Sequence, residues 1–325
     1  MKKIAFFDAK PYDRQHFDAI NPGYRIVYYD VHLNKDTAPL ARGCQAACAF
    51  VNDEVDKDVI DALVEEGCTF LALRCAGFSN VDLQYAKGKL TIARVPAYSP
   101  HAVAEFAFAL LLTVNRKTHK AYIRTRDFNF SLVNLIGTDL YGKTAGVIGT
   151  GRIGQAFIQI CKGFGMNVLT YDPHPVQIDG VQAVELDELL AKSDVISLHC
   201  PLTPETRHII DAEAFTKMKV GSFLINTSRG ALVDTGALLC ALNNGILRGA
   251  GLDVYEEEAQ YFYEDKSEKI ITDDKLSLLL TKPNVMLSSH QAYLTEEALS
   301  AIARTTYENL DAWFASKPLV NEVHA

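Results

Sequence analysis

Short apolar, β-rich runs alternate with segments of helical periodicity along most of the chain. In the first third, residues 4–7, 25–29, 46–51 and 70–73 read as strands, and residues 11–21 and 55–67 read as helices between them. This alternation predicts βαβ units and a parallel sheet covered on both faces. The segment Val95-Pro96-Ala97-Tyr98-Ser99-Pro100 breaks the pattern with two prolines and marks a domain boundary. The helix that follows, residues 101–120, is apolar nearly all round in its first three turns. Such a helix is buried, either in a core or in a subunit interface.

A second α/β run begins near Lys143. Residues 144–148, 167–171, 195–198, 223–226, 249–254 and 285–287 read as strands, with helices at 153–164, 186–192 and 235–244. Six strands with intervening helices make a complete doubly wound nucleotide domain. Residues 256–274 differ: carboxylates crowd around the aromatic cluster Tyr261-Phe262-Tyr263, and the segment reads as an inserted surface loop. The last helix spans residues 295–314. A chain of 325 residues exceeds the usual size of one core and so divides into two domains.

Composition narrows the function classes. The formal net charge is -8 and no Lys/Arg run is long enough to track phosphates, so a nucleic-acid partner is not expected. No apolar stretch approaches the roughly 18 residues of a membrane span. The apolar run at 4–7 is too short for a signal peptide. Seven scattered cysteines, an odd number, fit a reducing cytoplasm better than a disulfide framework.

Gly149-Thr150-Gly151-Arg152-Ile153-Gly154 matches G-x-G-x-x-G. Alone the pattern is weak; between a buried strand and an amphipathic helix it is strong. The second glycine lets backbone N–H groups approach a pyrophosphate, and the helix N-terminus offers its dipole to that anion. Arg152 adds positive charge there. Asp172 ends the second strand, where a carboxylate accepts from both ribose hydroxyls and repels a 2′-phosphate, selecting NAD over NADP.

Three further segments place polar residues where buried strands end: Asn226–Gly230, Gly251–Tyr255 leading to Glu258, and Ser289–Ala292. In an open α/β sheet, ligands bind at the carboxyl ends of strands. Reduction of a keto acid needs a cation for the carboxylate, and a guanidinium fork gives two parallel charge-assisted bonds. It also needs a proton donor for the carbonyl oxygen, which histidine supplies near neutral pH, with a carboxylate to stabilise the imidazolium. Arg229, His290 and Glu258 fit these roles. Singly, each has a plainer reading: a surface arginine, a hydrogen-bonded structural histidine, one member of a solvated acidic run. Their joint occurrence past strands of one nucleotide domain favours the catalytic reading.

With these motifs the sequence resembles the D-isomer-specific 2-hydroxyacid dehydrogenases over almost its whole length, nearest the fermentative D-lactate dehydrogenase branch. The resemblance is most specific at Arg74-Cys75-Ala76-Gly77-Phe78, Val95–Tyr98, 141–154, 194–204, 226–231 and 251–255. It implies two doubly wound parallel-sheet domains: a Rossmann NAD-binding domain, residues 100–295, and a smaller, discontinuous, flavodoxin-like substrate domain, residues 1–99 plus 296–325. It implies Arg229 as the substrate-binding arginine, His290 as acid/base and Glu258 as its partner. Cys75, Ala76, Gly77 and Tyr98 match the substrate side, and Tyr293 helps line the pocket. Gly149, Gly151, Arg152, Ile153, Gly154, Asp172, Cys200, Pro201, Thr206, Thr227, Ser228 and Asp253 match the cofactor side, Asp253 at the nicotinamide end. The resemblance also implies hinge closure bringing Tyr98 towards Arg229, and a homo-oligomer, dimer or tetramer, formed through the helix after Pro100. Phe106 and Ser79 depart from residues common in relatives, away from the chemistry.

The implied reaction is reversible reduction of pyruvate by NADH to D-lactate, with its stereochemistry resting on the resemblance alone. A larger acid such as phenylpyruvate or hydroxypyruvate is the nearest alternative, since a methylene in an apolar pocket changes preference by only about 1–3 kcal/mol. A non-catalytic NAD-sensing module is another, disfavoured by the intact Arg/Glu/His set. No metal is expected: the histidines and cysteines lack zinc spacing.

Overall fold

The computed structural model describes residues 1–325. The chain forms two compact units, Met1–Ser99 with Leu294–Ala325, and Pro100–Tyr293.

In the first unit, β1 (Lys3–Phe6), α1 (Pro11–Ala19), β2 (Arg25–Tyr28), β3 (Ala46–Ala49), α2 (Lys57–Glu65), β4 (Phe70–Leu73), α3 (Leu83–Ala86) and β5 (Thr91–Arg94) build a parallel sheet ordered β2-β1-β3-β4-β5. That is the flavodoxin-like order. β3 and β4 are wholly buried, as their unbroken apolar runs require. The C-terminal helix, Glu296–Phe314, packs on α1 and β4: Tyr307 donates its hydroxyl to the Phe17 carbonyl at 2.9 Å, and Trp313 stacks on Phe70. Its N-cap is Thr295, whose hydroxyl accepts from the Ala298 N–H. The pattern of apolar residues did not mark β5, because only Ile92 and Ala93 of its four residues are buried. Its open edge is covered by the tail, which bridges Ala93 to Glu322 in antiparallel sense.

The second unit opens with α4 (Pro100–Arg116) and α5 (Thr118–Arg126). It continues through β6 (Thr144–Ile148), α6 (Arg152–Gly163), β7 (Asn167–Tyr171), β8 (Gln182–Ala183), α7 (Leu186–Lys192), β9 (Val195–Leu198), α8 (Ala212–Lys217), β10 (Ser222–Asn226), α9 (Thr235–Asn243), β11 (Leu247–Leu252), α10 (Asp274–Thr281) and β12 (Val285–Leu287). The seven parallel strands run β12-β11-β10-β9-β6-β7-β8. The order reverses between β6 and β9, the switch point at which doubly wound sheets bind their ligands. The seventh strand is β8, a two-residue exposed edge too short to carry a hydrophobic signal.

Two expectations for this unit need correcting. The helix at 101–120 ends at Arg116, because Lys117 takes a left-handed conformation with φ 53° and starts a separate helix. Much of the apolar surface of α4 is used inside its own unit, against α6, β10 and β11; Phe108 meets Phe157 with ring centroids 5.9 Å apart. Finally, the acidic segment is not simply a solvated loop. Phe262 is buried in the core, and the Tyr255 hydroxyl donates to Asp273 at 2.6 Å, tying the two ends of the loop together. No helix is long and apolar enough to cross a membrane.

Candidate functional site

The glycines after β6 are dictated by close approach. Gly149 has φ 97°, and a Cβ there would lie 2.6 Å from the His199 carbonyl carbon; at Gly154 it would lie 2.0 Å from the Gly149 oxygen. The first contact packs the loop onto the start of the segment after β9, and the second packs α6 onto the loop itself. Gly151, the N-cap of α6, has nothing within 4 Å of the corresponding position. This is the geometry a pyrophosphate requires: a tight turn, a helix start free of side chain, and the positive end of the dipole. Arg152 is exposed at the first turn and has no ion-pair partner, while the Ile153 side chain packs on the core and leaves its backbone to the loop.

Asp172 stands beside this loop. Its Oδ2 accepts from the Thr150 N–H at 2.7 Å and hydroxyl at 2.9 Å, and its Oδ1 accepts from the His174 N–H at 2.8 Å. Burial raises its pKa, but these bonds outweigh that and hold the carboxyl below the ordinary carboxylate range. The group is therefore a fixed carboxylate at the end of β7, as ribose binding and 2′-phosphate rejection demand.

The loops after β9 and β10 are joined: the Ser228 hydroxyl donates to the Cys200 carbonyl at 2.6 Å. Burial pushes the Cys200 thiol up to about 11, which leaves it a structural group and not a nucleophile. Pro201 is exposed, and its carbonyl accepts the Thr206 hydroxyl at 2.7 Å, closing the turn 201–206. The Thr227 hydroxyl at the end of β10 is buried without a hydrogen-bond partner. A buried orphan at the carboxyl end of a sheet strand is a group waiting for a ligand atom. With the open Gly151 face, it makes the site fit a dinucleotide. His199, beneath the loop, bonds Ser197 at 2.9 Å, and burial lowers its pKa to about 3, so it is a neutral structural residue.

Arg229 follows β10 in a turn fixed by Asn226, whose side chain donates to the Arg229 carbonyl and accepts from the Ser228 N–H. The half-buried guanidinium makes one bond, from Nη1 to the Ser228 carbonyl at 2.7 Å, and no ion pair. Its remaining donors are uncommitted, unusual for an arginine in a partly desolvated place. At Gly230 a Cβ would lie 2.1 Å from the Tyr255 carbonyl carbon, so the arginine turn presses on the segment leading to Glu258.

Glu258 and His290 are paired. Glu258 Oε1 meets His290 Nδ1 at 2.7 Å, and its Oε2 accepts from the Tyr255 N–H at 2.9 Å. With Nδ1 so engaged, Nε2 is the ring nitrogen left open. His290 is left-handed, φ 55°, and its N–H donates to the Asp253 carbonyl at 2.7 Å.

Asp253 lies inside the loop that carries His290. It is fully buried, and its carboxylate accepts from Ser288 Oγ, the Gln291 N–H and the Ala292 N–H at 2.7–2.9 Å. Burial raises its pKa despite these bonds. Its side chain shapes the loop that carries His290 and the buried Tyr293. Ser288, which completes this arrangement, has no distinguishing signal in the sequence.

Cys75, Ala76, Gly77 and Tyr98 belong to the first unit, at the carboxyl ends of β4 and β5. The Cys75 thiol donates to the Gly77 carbonyl at 3.3 Å, and Arg94 donates to the Ala76 carbonyl at 2.7 Å, so the turn is held from within.

Residues 108–292 match the family described as D-isomer specific 2-hydroxyacid dehydrogenase, NAD binding domain. The chain is 48% identical to the D-lactate dehydrogenase of Escherichia coli, over 99% of each sequence. Among solved structures, that of the pyruvate reductase of Chlamydomonas reinhardtii aligns with TM-score 0.95 at 41% identity, covering 99% of this chain and 98% of that one. The NAD complex of the D-isomer specific 2-hydroxyacid dehydrogenase of Lactobacillus delbrueckii aligns with TM-score 0.85 at 30% identity, over 99% and 100%. The dinucleotide loop, the paired histidine and glutamate and these likenesses agree: the chain is a member of the NAD-dependent D-isomer specific 2-hydroxyacid dehydrogenase family.

Proposed function

We propose that this protein reduces pyruvate to D-lactate, reversibly, with NADH. The observation that carries the reading is the pairing of His290 with Glu258 close in the fold to an arginine whose guanidinium has no carboxylate of its own. The names borne by the Escherichia coli and Chlamydomonas relatives support pyruvate as the substrate.

When bound, the coenzyme supplies the hydride that adds to the keto carbon. Arg229 holds the substrate carboxylate and orients the carbonyl. His290 gives the proton on Nε2 to the carbonyl oxygen, and Glu258 stabilises the ring at Nδ1. Asp253 sets the backbone that aims the imidazole. By family correspondence, the backbone N–H groups at Cys75, Ala76 and Gly77 and the Tyr98 hydroxyl receive the substrate carboxylate, and Tyr293 bounds the pocket. On the coenzyme, Gly149–Gly154 takes the pyrophosphate and Asp172 the ribose. Cys200 flanks the adenine side, and Pro201, Thr206, Thr227 and Ser228 also lie along the coenzyme.

The test is NADH oxidation with pyruvate, a panel of larger 2-keto acids, NADPH as a second coenzyme, and chiral analysis of the product. Fast NADH-linked conversion of pyruvate to D-lactate is expected. Preference for a larger acid would move the substrate; tight NADH binding without turnover on any acid would leave only a sensing module.

We further propose a cytoplasmic homo-oligomer. The seven free thiols suit a reducing compartment. The surface for self-association lies on and just beyond α4. Past that helix, Phe128, Phe130, Leu132, Val133 and Ile136 are each 68–84% exposed, an apolar run larger than single scattered residues explain. Sedimentation equilibrium is expected to give a dimer or tetramer, and Phe130→Glu with Leu132→Glu to shift it towards monomer. A monomeric wild type would end this reading.

A further inference from the structure

The histidine proposed as acid sits in a backbone conformation that L-residues seldom adopt, and its aim depends on what holds that conformation. One brace is the Asp253 carbonyl, which accepts the His290 N–H. The other comes from the acidic segment after β11. Tyr263 donates its hydroxyl to the His290 carbonyl at 3.2 Å, and its ring lies beside the imidazole with centroids 5.9 Å apart. Both peptide groups flanking His290 are thereby tied.

We propose that Tyr263 is a positioning residue for His290, and that the acidic segment grips the histidine at two points, Glu258 on the imidazole and Tyr263 on the backbone. The two gripping groups belong to one small rigid piece. The Tyr261 and Phe262 N–H groups both donate to the Glu258 carbonyl at 2.9 Å. Phe262 is anchored in the core, and Tyr263 is itself left-handed at φ 67°, which turns its ring back from that anchor towards His290. Loss of the Tyr263 bond frees rotation about the His290 backbone, and the ring then spends less time on Glu258 with Nε2 aimed at the carbonyl oxygen. Tyr263 does not exchange a proton with substrate in this account; it acts through His290.

The inference rests on the proposed role of His290, so its test has one readout that depends on that role and one that does not. Tyr263→Phe removes the hydroxyl and keeps the ring. Its kcat for pyruvate reduction is expected to fall about 3–10-fold, the effect of one ordinary hydrogen bond. KM and NADH affinity are expected to hold, as are the melting temperature and the shape of the pH profile. A kcat equal to wild type, or a loss shared equally by KM and NADH binding, would overturn the proposal. In enzyme labelled with ¹⁵N-histidine, the His290 signals, identified by their loss in His290→Gln, are expected to shift in Tyr263→Phe. Unchanged signals would overturn it whether or not any acid is turned over, whereas an inactive wild type with shifted signals would count only against the proposed reaction.

Discussion

Replacing His290 by Gln is expected to cut kcat for pyruvate reduction by roughly 10²–10⁴-fold, the contribution usual for a positioned general acid. Glutamine can keep a hydrogen bond to Glu258, so the loop loses little, but its amide has no proton to give. NADH affinity is expected to survive, since the glycine loop and Asp172 are held by Thr150, His174 and the His199 backbone, independently of the histidine. Single-turnover kinetics beside a fluorescence titration with NADH separate the two effects. Equal loss of turnover and coenzyme affinity would remove His290 from the acid role.

The second large effect is expected at Arg229. Lysine conserves charge but replaces a planar fork by a point charge, and the carboxylate then loses one of two parallel bonds and its orientation. A charge-assisted bond of up to about 3 kcal/mol corresponds to a fall in kcat/KM of about 10²-fold. The loss should fall on both KM and kcat, because orientation of the carbonyl goes with the fork. NADH titration should be unaffected. Steady-state kinetics of Arg229→Lys decide it, and unchanged constants would refute the assignment.

What the sequence disclosed about this site follows a physical division. Backbone requirements were legible: Gly149 and Gly154 leave no room for a Cβ, and a strand–loop–helix context exposes such demands. So was the meeting of Glu258 with His290, since they follow the carboxyl ends of the neighbouring parallel strands β11 and β12. Residues that act by bracing others were not legible. Nothing in the sequence shows that the Asp253 side chain binds Ser288, Gln291 and Ala292. The carboxylates of 256–274 concealed an anchored segment, since composition does not say which of three adjacent aromatics faces the core. Glu256, one of that run, bonds His208 at 2.7 Å and lies 3.2 Å from the Thr235 hydroxyl donor. The break at Lys117 had no glycine or proline to announce it.

The split of the first unit into two passages has a consequence for how the chain matures. Its sheet lacks the cover of the C-terminal helix until Glu296–Phe314 exists, and the edge at β5 stays bare until Asn321 and Glu322 arrive to accept the Arg94 N–H and bridge Ala93. Pro100–Tyr293, by contrast, is one uninterrupted stretch that leaves the ribosome earlier and carries its own core. Synthesis therefore delivers a complete coenzyme-binding unit while the unit begun first still waits for its last helix, so the order of folding inverts the order of translation.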